Sequence, residues 1–236
     1  MTIPAFFFPK TVTFQHYYDL FVKQNITPVF FNSLIIAVCS TFLSVSLGTL
    51  AAYVFARSRS RRLKGLLSLI LTGRMMPAVA LLIPLYMVVR QLNLVNTKAS
   101  LIVAYTAMCL PFAIYMMMGF ISQIPYEIEE SGIIDGCSTF KVLVLLILPL
   151  IGPGLATTAI FNFLTGWNEY LFAVTFISDS GARTIPVALM AFDTGRNTYW
   201  GPRFALMVIS LIPACVFTLA AQKYLVAGVT LGAVKG

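Results

Sequence analysis

Residues 24–56, QNITPVFFNSLIIAVCSTFLSVSLGTLAAYVFA, carry no charged side chain and lie between Lys23 and Arg57. A bilayer core is crossed by roughly 20 apolar residues in a helix, so this run alone suffices for a span. Three further charge-free runs follow: Ala99 to Tyr126, Val142 to Asn168, and Phe204 to Gln222. A fifth, Gly65 to Val89, is interrupted only by Arg74. The runs predict five spans, at about 29–56, 65–89, 99–121, 150–174 and 204–224. Composition agrees. Of 236 residues, 59% are apolar and 10% charged, with a mean hydropathy of +0.89. A soluble domain carries about a quarter charged residues, so that class is excluded, as are disordered, collagenous and coiled-coil chains. Outer-membrane strands alternate over about ten residues, unlike these unbroken runs. The opening MTIPAFFFPK has no charged n-region and is no signal peptide. The predicted fold is an all-α, polytopic helical bundle.

The net charge of +8 is concentrated. Arg57, Arg59, Arg61, Arg62 and Lys64 crowd one short loop, which the positive-inside rule places in the cytoplasm. The N-terminus and the 90–98 and 175–203 loops then lie outside. The 122–149 loop and the tail lie inside. Residues 11–22, TVTFQHYYDLFV, are aromatic and amphiphilic and suit the outer interface. Prolines 77, 84, 111, 149, 153 and 213 fall in or at the start of four spans. Such breaks are tolerated where neighbouring helices or a cavity satisfy the freed carbonyls, which favours a transporter over a set of anchors. Ser44, Gly48, Ala52 and Ala56 recur every fourth residue and allow close helix approach.

The 122–149 loop, SQIPYEIEESGIIDGCSTFKVLVLLILP, is the most informative segment. Pro125 can open a helix. Glu127, Glu129 and Glu130 follow in its first turn, where carboxylates favour the positive dipole end. Ile128, Ile133 and Ile134 offer apolar contact, Gly136 permits a sharp break, and a second helix resumes near Ser138. The segment reads as a cytoplasmic helix–turn–helix, either a rigid docking lever or a solvated acidic loop.

Glu130-Ser131-Gly132, then Gly136, then Leu146-Ile147-Leu148-Pro149 resembles the EAA loop of ABC importer permeases. That pattern is E-A-A, three residues, Gly, nine residues, then I-x-L-P. Ser131 and Gly132 replace the two alanines, and Leu146 replaces the isoleucine. Gly166-Trp167-Asn168-Glu169-Tyr170-Leu171-Phe172, Ile185-Pro186-Val187 and the tail from Gln222 to Gly236 are similar to the maltose-type carbohydrate permeases, specifically the smaller, MalG-like member. The likeness covers nearly the whole chain from Phe14 onward.

The resemblance implies a type I ABC importer permease fold in a bacterial or archaeal cytoplasmic (inner) membrane, multi-pass. It implies an outer interfacial segment at 1–28 and one permease domain at 29–236, with a coupling loop at 122–149 and a cytoplasmic tail at 225–236. It assigns Glu129, Glu130, Ser131, Gly132, Asp135, Gly136, Leu148 and Pro149 to ATPase coupling. Thr230, Gly232, Val234, Lys235 and Gly236 would touch the ATPase through the tail. The implied partners are a second, MalF-like permease, two cytoplasmic ATP-binding subunits that hold ATP and Mg, an extracytoplasmic solute-binding protein, and membrane lipid, with no nucleic acid. The 175–203 loop would meet the binding protein. The family has six spans with both ends inside, so a first span is expected upstream of Met1.

The chain itself offers no catalytic chemistry. It has no G-x-x-x-x-G-K-[ST] loop, its only histidine is His16, and its four cysteines show no metal-ligand spacing. No cofactor, metal site or catalytic residue is expected in it. Carboxylates deep in a span, usual in proton- or sodium-driven carriers, are missing from the sequence pattern, so energy must come from a partner. Asn162, Trp167, Asn168, Glu169 and Tyr170 are candidates for the translocation path, since aromatic faces and amides suit sugar rings. An outer aromatic belt is the alternative reading. Arg74 is either a pathway residue pairing with helix-end carbonyls or a side chain that snorkels inward. The alternatives to a sugar importer are an ABC permease for a non-sugar solute, a stand-alone carrier or channel, and a membrane scaffold.

Overall fold

The computed structural model describes residues 12–194 and 198–233, without the side chains of Ser180 and residues 221–233. Among the described residues there is no β-strand, only an isolated bridge between Asp193 and Thr198. In lipid every backbone N–H and C=O must be paired within the segment, and helices do this. A short helix α1, Gln15–Tyr18, continues into a π-helical turn, Asp19–Lys23. Then come α2, Thr27–Arg57; α3, Arg61–Gly73; α4, Ala78–Gln91; and α5, Lys98–Ile121. The end that bears the basic cluster, termed the inner end and its opposite the outer end, carries α6, Glu127–Ile134, and α7, Thr139–Leu150. The chain returns through α8, Gly152–Trp167, and the shorter α9, Leu171–Phe176, and α10, Ile185–Ala191, at the outer end. It finishes in α11, Trp200–Ala233.

Among the described residues three helices are long and apolar enough to cross a membrane: α2, α5 and the Trp200–Ala220 part of α11. The expected span at 65–89 is broken, and the one at 150–174 begins at a bend and its helix stops at Trp167. Helix α3 meets α4 at 107°, and α7 meets α8 at 81°. Pro77 sits at the first break as the N-cap of α4, and Pro153 opens α8 after the second. Each lacks the N–H that would continue a helix. Pro149 has a milder effect. The wide π turn at Leu143–Ile147 precedes it, a common way to relieve a proline that cannot donate.

The bundle is organised on α2 and α5. Gly48 permits their closest approach: a Cβ there would lie 2.5 Å from the Ala113 Cβ and 3.3 Å from the backbone N of Ile114. Ser44, Gly48 and Ala52 are buried, so the small-residue stripe is an internal seam. Ser44 also receives a 2.8 Å hydrogen bond from the Asn162 amide of α8. At the outer end, Asn32 Nδ2 donates to the carbonyls of Gly181 and Arg183 at 2.9 and 3.1 Å. Ser33 Oγ accepts the Ile185 N–H at 2.8 Å. Buried polar groups of α2 thereby fix the loop that leads to α10. The π turn after α1 inserts Leu20, fully buried, among Phe163, Trp167, Ile185 and Leu206, so this amphiphilic segment is tied into the outer core.

Candidate functional site

Two regions present chemistry beyond packing. The first is α6 and the turn that follows. Asp135 caps the helix and Gly136 turns left-handed at φ +83°. The Cys137 N–H donates to the Gly132 carbonyl at 2.9 Å and the Gly136 N–H to that of Ile133 at 3.0 Å, the paired closure of a Schellman motif. Ser138 then caps α7 by accepting the Lys141 N–H at 3.4 Å.

This turn is clasped to the end of α2. Glu129 is 2% exposed and accepts hydrogen bonds from Arg57 Nε at 2.6 Å and from the Tyr53 hydroxyl at 2.8 Å. A second nitrogen of Arg57 donates to the Ile124 carbonyl at 3.0 Å, and the guanidinium lies over the Tyr126 ring. A buried carboxylate is tolerable only with such partners. Gly132, also buried, faces Leu146: a Cβ there would come within 2.6 Å of Leu146 Cδ1. Two of the three departures from the EAA pattern, Gly132 for Ala and Leu146 for Ile, therefore face each other. With Glu129 and Gly132 turned inward, Glu130, Ser131, Ile133, Ile134 and Asp135 are left exposed, Ile134 at 84%. Tyr126 and Phe140 are exposed nearby. Apolar side chains gathered on a polar turn mark a contact surface.

The second region is a cavity of about 640 Å³ at the α3–α4 break. Its walls include Arg74, Ala78, Cys109, Phe112, Asn162 and Thr165. Phe112 lies near the middle of α5, which places the cavity near mid-depth of the bundle. The Arg74 guanidinium sits 4.4 Å over the Phe112 ring centroid, a cation–π contact. Asn162 is buried, its amide held by Ser44 and its carbonyl beside the Cys109 thiol at 3.9 Å.

Residues 44–231 match a family described as the binding-protein-dependent transport system inner membrane component. The chain belongs to this family. It is a multi-pass permease. A sulfoquinovosyl glycerol transport system permease from Agrobacterium fabrum is 34% identical over 99% of this chain and 82% of its own length. The trehalose/maltose transport system permease MalG of Thermococcus litoralis is 37% identical over 87% of this chain and 74% of its own. A solved bacterial ABC transporter that imports the acidic polysaccharide alginate contains a chain with the same fold, at a TM-score of 0.81 and 21% identity over 92% of this chain and 81% of that one.

The permease brings the predicted residues together unevenly. Asn162 reaches the cavity wall. Trp167 does not: it is 3% exposed, donates from Nε1 to the Ser210 carbonyl at 3.1 Å, and stacks on Phe163. Asn168 is exposed and bonds back to the Leu164 carbonyl at 2.8 Å. Glu169 accepts the Phe172 and Ala173 N–H groups at 2.9 and 3.2 Å, capping α9, while Tyr170 is partly exposed beside it. The WNEY segment therefore ends one helix and starts another. Leu148 and Pro149 lie at the end of α7, next to the break. Thr230 and Gly232 continue α11, but their side chains, and Val234, Lys235 and Gly236, lie outside the described residues.

Sequence reasoning missed Arg57 and Tyr53 as partners of Glu129, because 72 and 76 residues separate them in the chain. The only local trace is a basic residue ending an apolar run. Arg74 lines the cavity with its guanidinium over Phe112, and among the described residues that group bonds no helix-end carbonyl.

Proposed function

We propose that this permease forms half of the translocation pathway of an ATP-driven importer for a sugar or oligosaccharide. The second half is a MalF-like permease. Two cytoplasmic subunits bind ATP and Mg, and an extracytoplasmic binding protein delivers the solute. The membrane is the bacterial or archaeal inner membrane. This chain acts as a transport subunit and holds no cofactor of its own.

The observation that carries this reading is the α6 turn. Its inward face is clasped to α2 through Glu129, and its outward face offers Ile133, Ile134, Glu130 and Asp135. A motion of a docked ATPase subunit would reach α2 through a buried ion pair instead of a slack linker. The exposed turn residues and the tail are the proposed ATPase contacts. Leu148 and Pro149 belong to the lever behind them. Sugar as cargo is supported by relatives that carry sulfoquinovosyl glycerol and trehalose/maltose.

Glu130→Lys in the assembled transporter tests the coupling. Solute-stimulated ATP hydrolysis and uptake should each fall about tenfold or more, the scale of losing one anchor at an interface, while insertion and assembly persist. Undiminished coupled hydrolysis would overturn the assignment. Deleting Thr230 to Gly236 should likewise impair uptake before insertion, and full uptake by that variant would remove the tail from the contact surface.

A further inference from the structure

Arg74 carries a fixed positive charge near mid-depth of a membrane bundle, where a charge persists only if it faces a water-filled cavity or a counter-charge. It lines the 640 Å³ cavity. Among the described residues its guanidinium has no ion pair and no hydrogen bond, only the Phe112 ring beneath it, and no carboxylate lines the cavity. A second source of positive potential converges there. Ala78, the first residue of α4, lines the same space; the Ala80 N–H turns back to the Pro77 carbonyl at 2.9 Å, and the Pro77 N-cap supplies no side-chain acceptor for the N–H groups of Ala78 and Val79. A helix N-terminus with unpaired N–H groups favours anions. The remaining walls suit a sugar: Phe161 is half exposed and stands edge-on to Phe112, and Thr165 brings a hydroxyl. The volume falls within the range of small-molecule sites, about 300–1,000 Å³.

We infer that this cavity is a transient solute site selective for anionic carbohydrates, in which Arg74 and the α4 N-terminus receive a carboxylate or sulfonate while Phe161 and Phe112 flank the ring. The inference rests on the reading of the chain as a sugar importer and narrows its cargo. A guanidinium left without a counter-ion supplies the missing half of an ion pair to each passing solute, and a neutral sugar gains nothing from it. The site belongs to the path and needs only modest affinity, because a solute must also leave it.

The test uses the assembled transporter in nanodiscs, with Thr165→Cys placing a thiol on the cavity wall and labelling at that position read by peptide mass spectrometry. Rates for a sulfonate-bearing and a trimethylammonium-bearing methanethiosulfonate are each divided by the rate with a free thiol in solution. The corrected ratio should favour the sulfonate about tenfold at low salt, fall as salt is raised, survive Arg74→Lys and vanish in Arg74→Gln. Glucuronate should then slow labelling by a neutral maleimide, while glucose at the same concentration does not. A corrected ratio at parity with Arg74 present, or equal protection by glucose and glucuronate, overturns the inference even if the glutamine variant fails to assemble. Protection by inorganic sulfate equal to that by glucuronate would uphold the anion site and overturn its carbohydrate part, and with it the cargo named in the proposed function.

Discussion

Helices α2 and α3–α4 are consecutive and each offers enough apolar length for a span, yet they treat their side chains in opposite ways. Helix α2 buries small and polar residues, among them Asn32, Ser33, Ser40, Ser44 and Thr49. Most of its large apolar residues, such as Phe42 and Val54, face outward, with Ile36 and Val45 as the buried exceptions. Helix α3 buries none of its residues and α4 only Val89. Met75, Met76, Val79 and Ile83 are exposed around their break. In lipid, burial selects close backbone approach and paired polar groups, since apolar side chains gain little by leaving an apolar solvent. The difference separates a scaffold from a working surface: α2 fixes the bundle, and the broken pair is left open to solute or a partner.

Two glycines break the comparison most sharply. Gly48→Leu should abolish a monodisperse permease in fluorescence-detected size exclusion, because the Ala113 Cβ and backbone block the new side chain and backbone cannot shift cheaply. Gly73→Leu, where a Cβ meets nothing within 4 Å, should elute as the native protein does. Two arginines come next. Arg57→Ala strands a buried Glu129, at a cost of about 3 kcal/mol or more, and should lower the thermal midpoint clearly. Arg74→Gln gives up one cation–π contact, about 1 kcal/mol, and should hardly move it. A smaller effect is expected at the α6 turn. Gly136→Ala forces a side chain into φ +83°, costing about 1–2 kcal/mol. Gly132→Ala displaces the tip of Leu146 and presses lightly on Val142 Cγ2 at 3.2 Å but gains about 1 kcal/mol in helix propensity, so the two substitutions should separate in the same melt.

The smallest effect is at the outer surface. Asp19 accepts hydrogen bonds from Lys23 and Gln15, which hold its carboxyl below the usual range, and the same contact raises Lys23. The pair is intact between those limits, is lost as pH falls through the lowered Asp19 value, and is lost again as pH rises through the raised Lys23 value. Exposed pairs of this kind contribute little, so Asp19→Asn should leave the melting temperature flat across neutral and mildly acidic pH.

How far the sequence reveals this depends on the range of each interaction. Charge-free runs mark the three helices long enough to span, because crossing length is a local property. The Schellman turn is legible in Gly136 and Ser138 for the same reason. The breaks are only half legible: Pro77 and Pro153 mark where a helix can fail, but angles of 107° and 81° depend on what the next helix packs against. The Arg57–Glu129 clasp is invisible, since each residue has an adequate local explanation, one as a flanking charge and the other as a first-turn carboxylate. Trp167 misleads for the opposite reason. Its ring suits a sugar and a core equally well, and the Ser210 carbonyl decides between them.

The clasp also has an order in time. Arg57 precedes Glu129 by 72 residues, so in a chain emerging N-terminus first it stands at the end of α2 as an unneutralised charge of the kind that the positive-inside rule reads. Once Glu129 arrives and folds against it, that charge is withdrawn from the surface into a neutral pair. One residue thus serves first as an orientation signal for the nascent chain and then as a structural joint of the finished one.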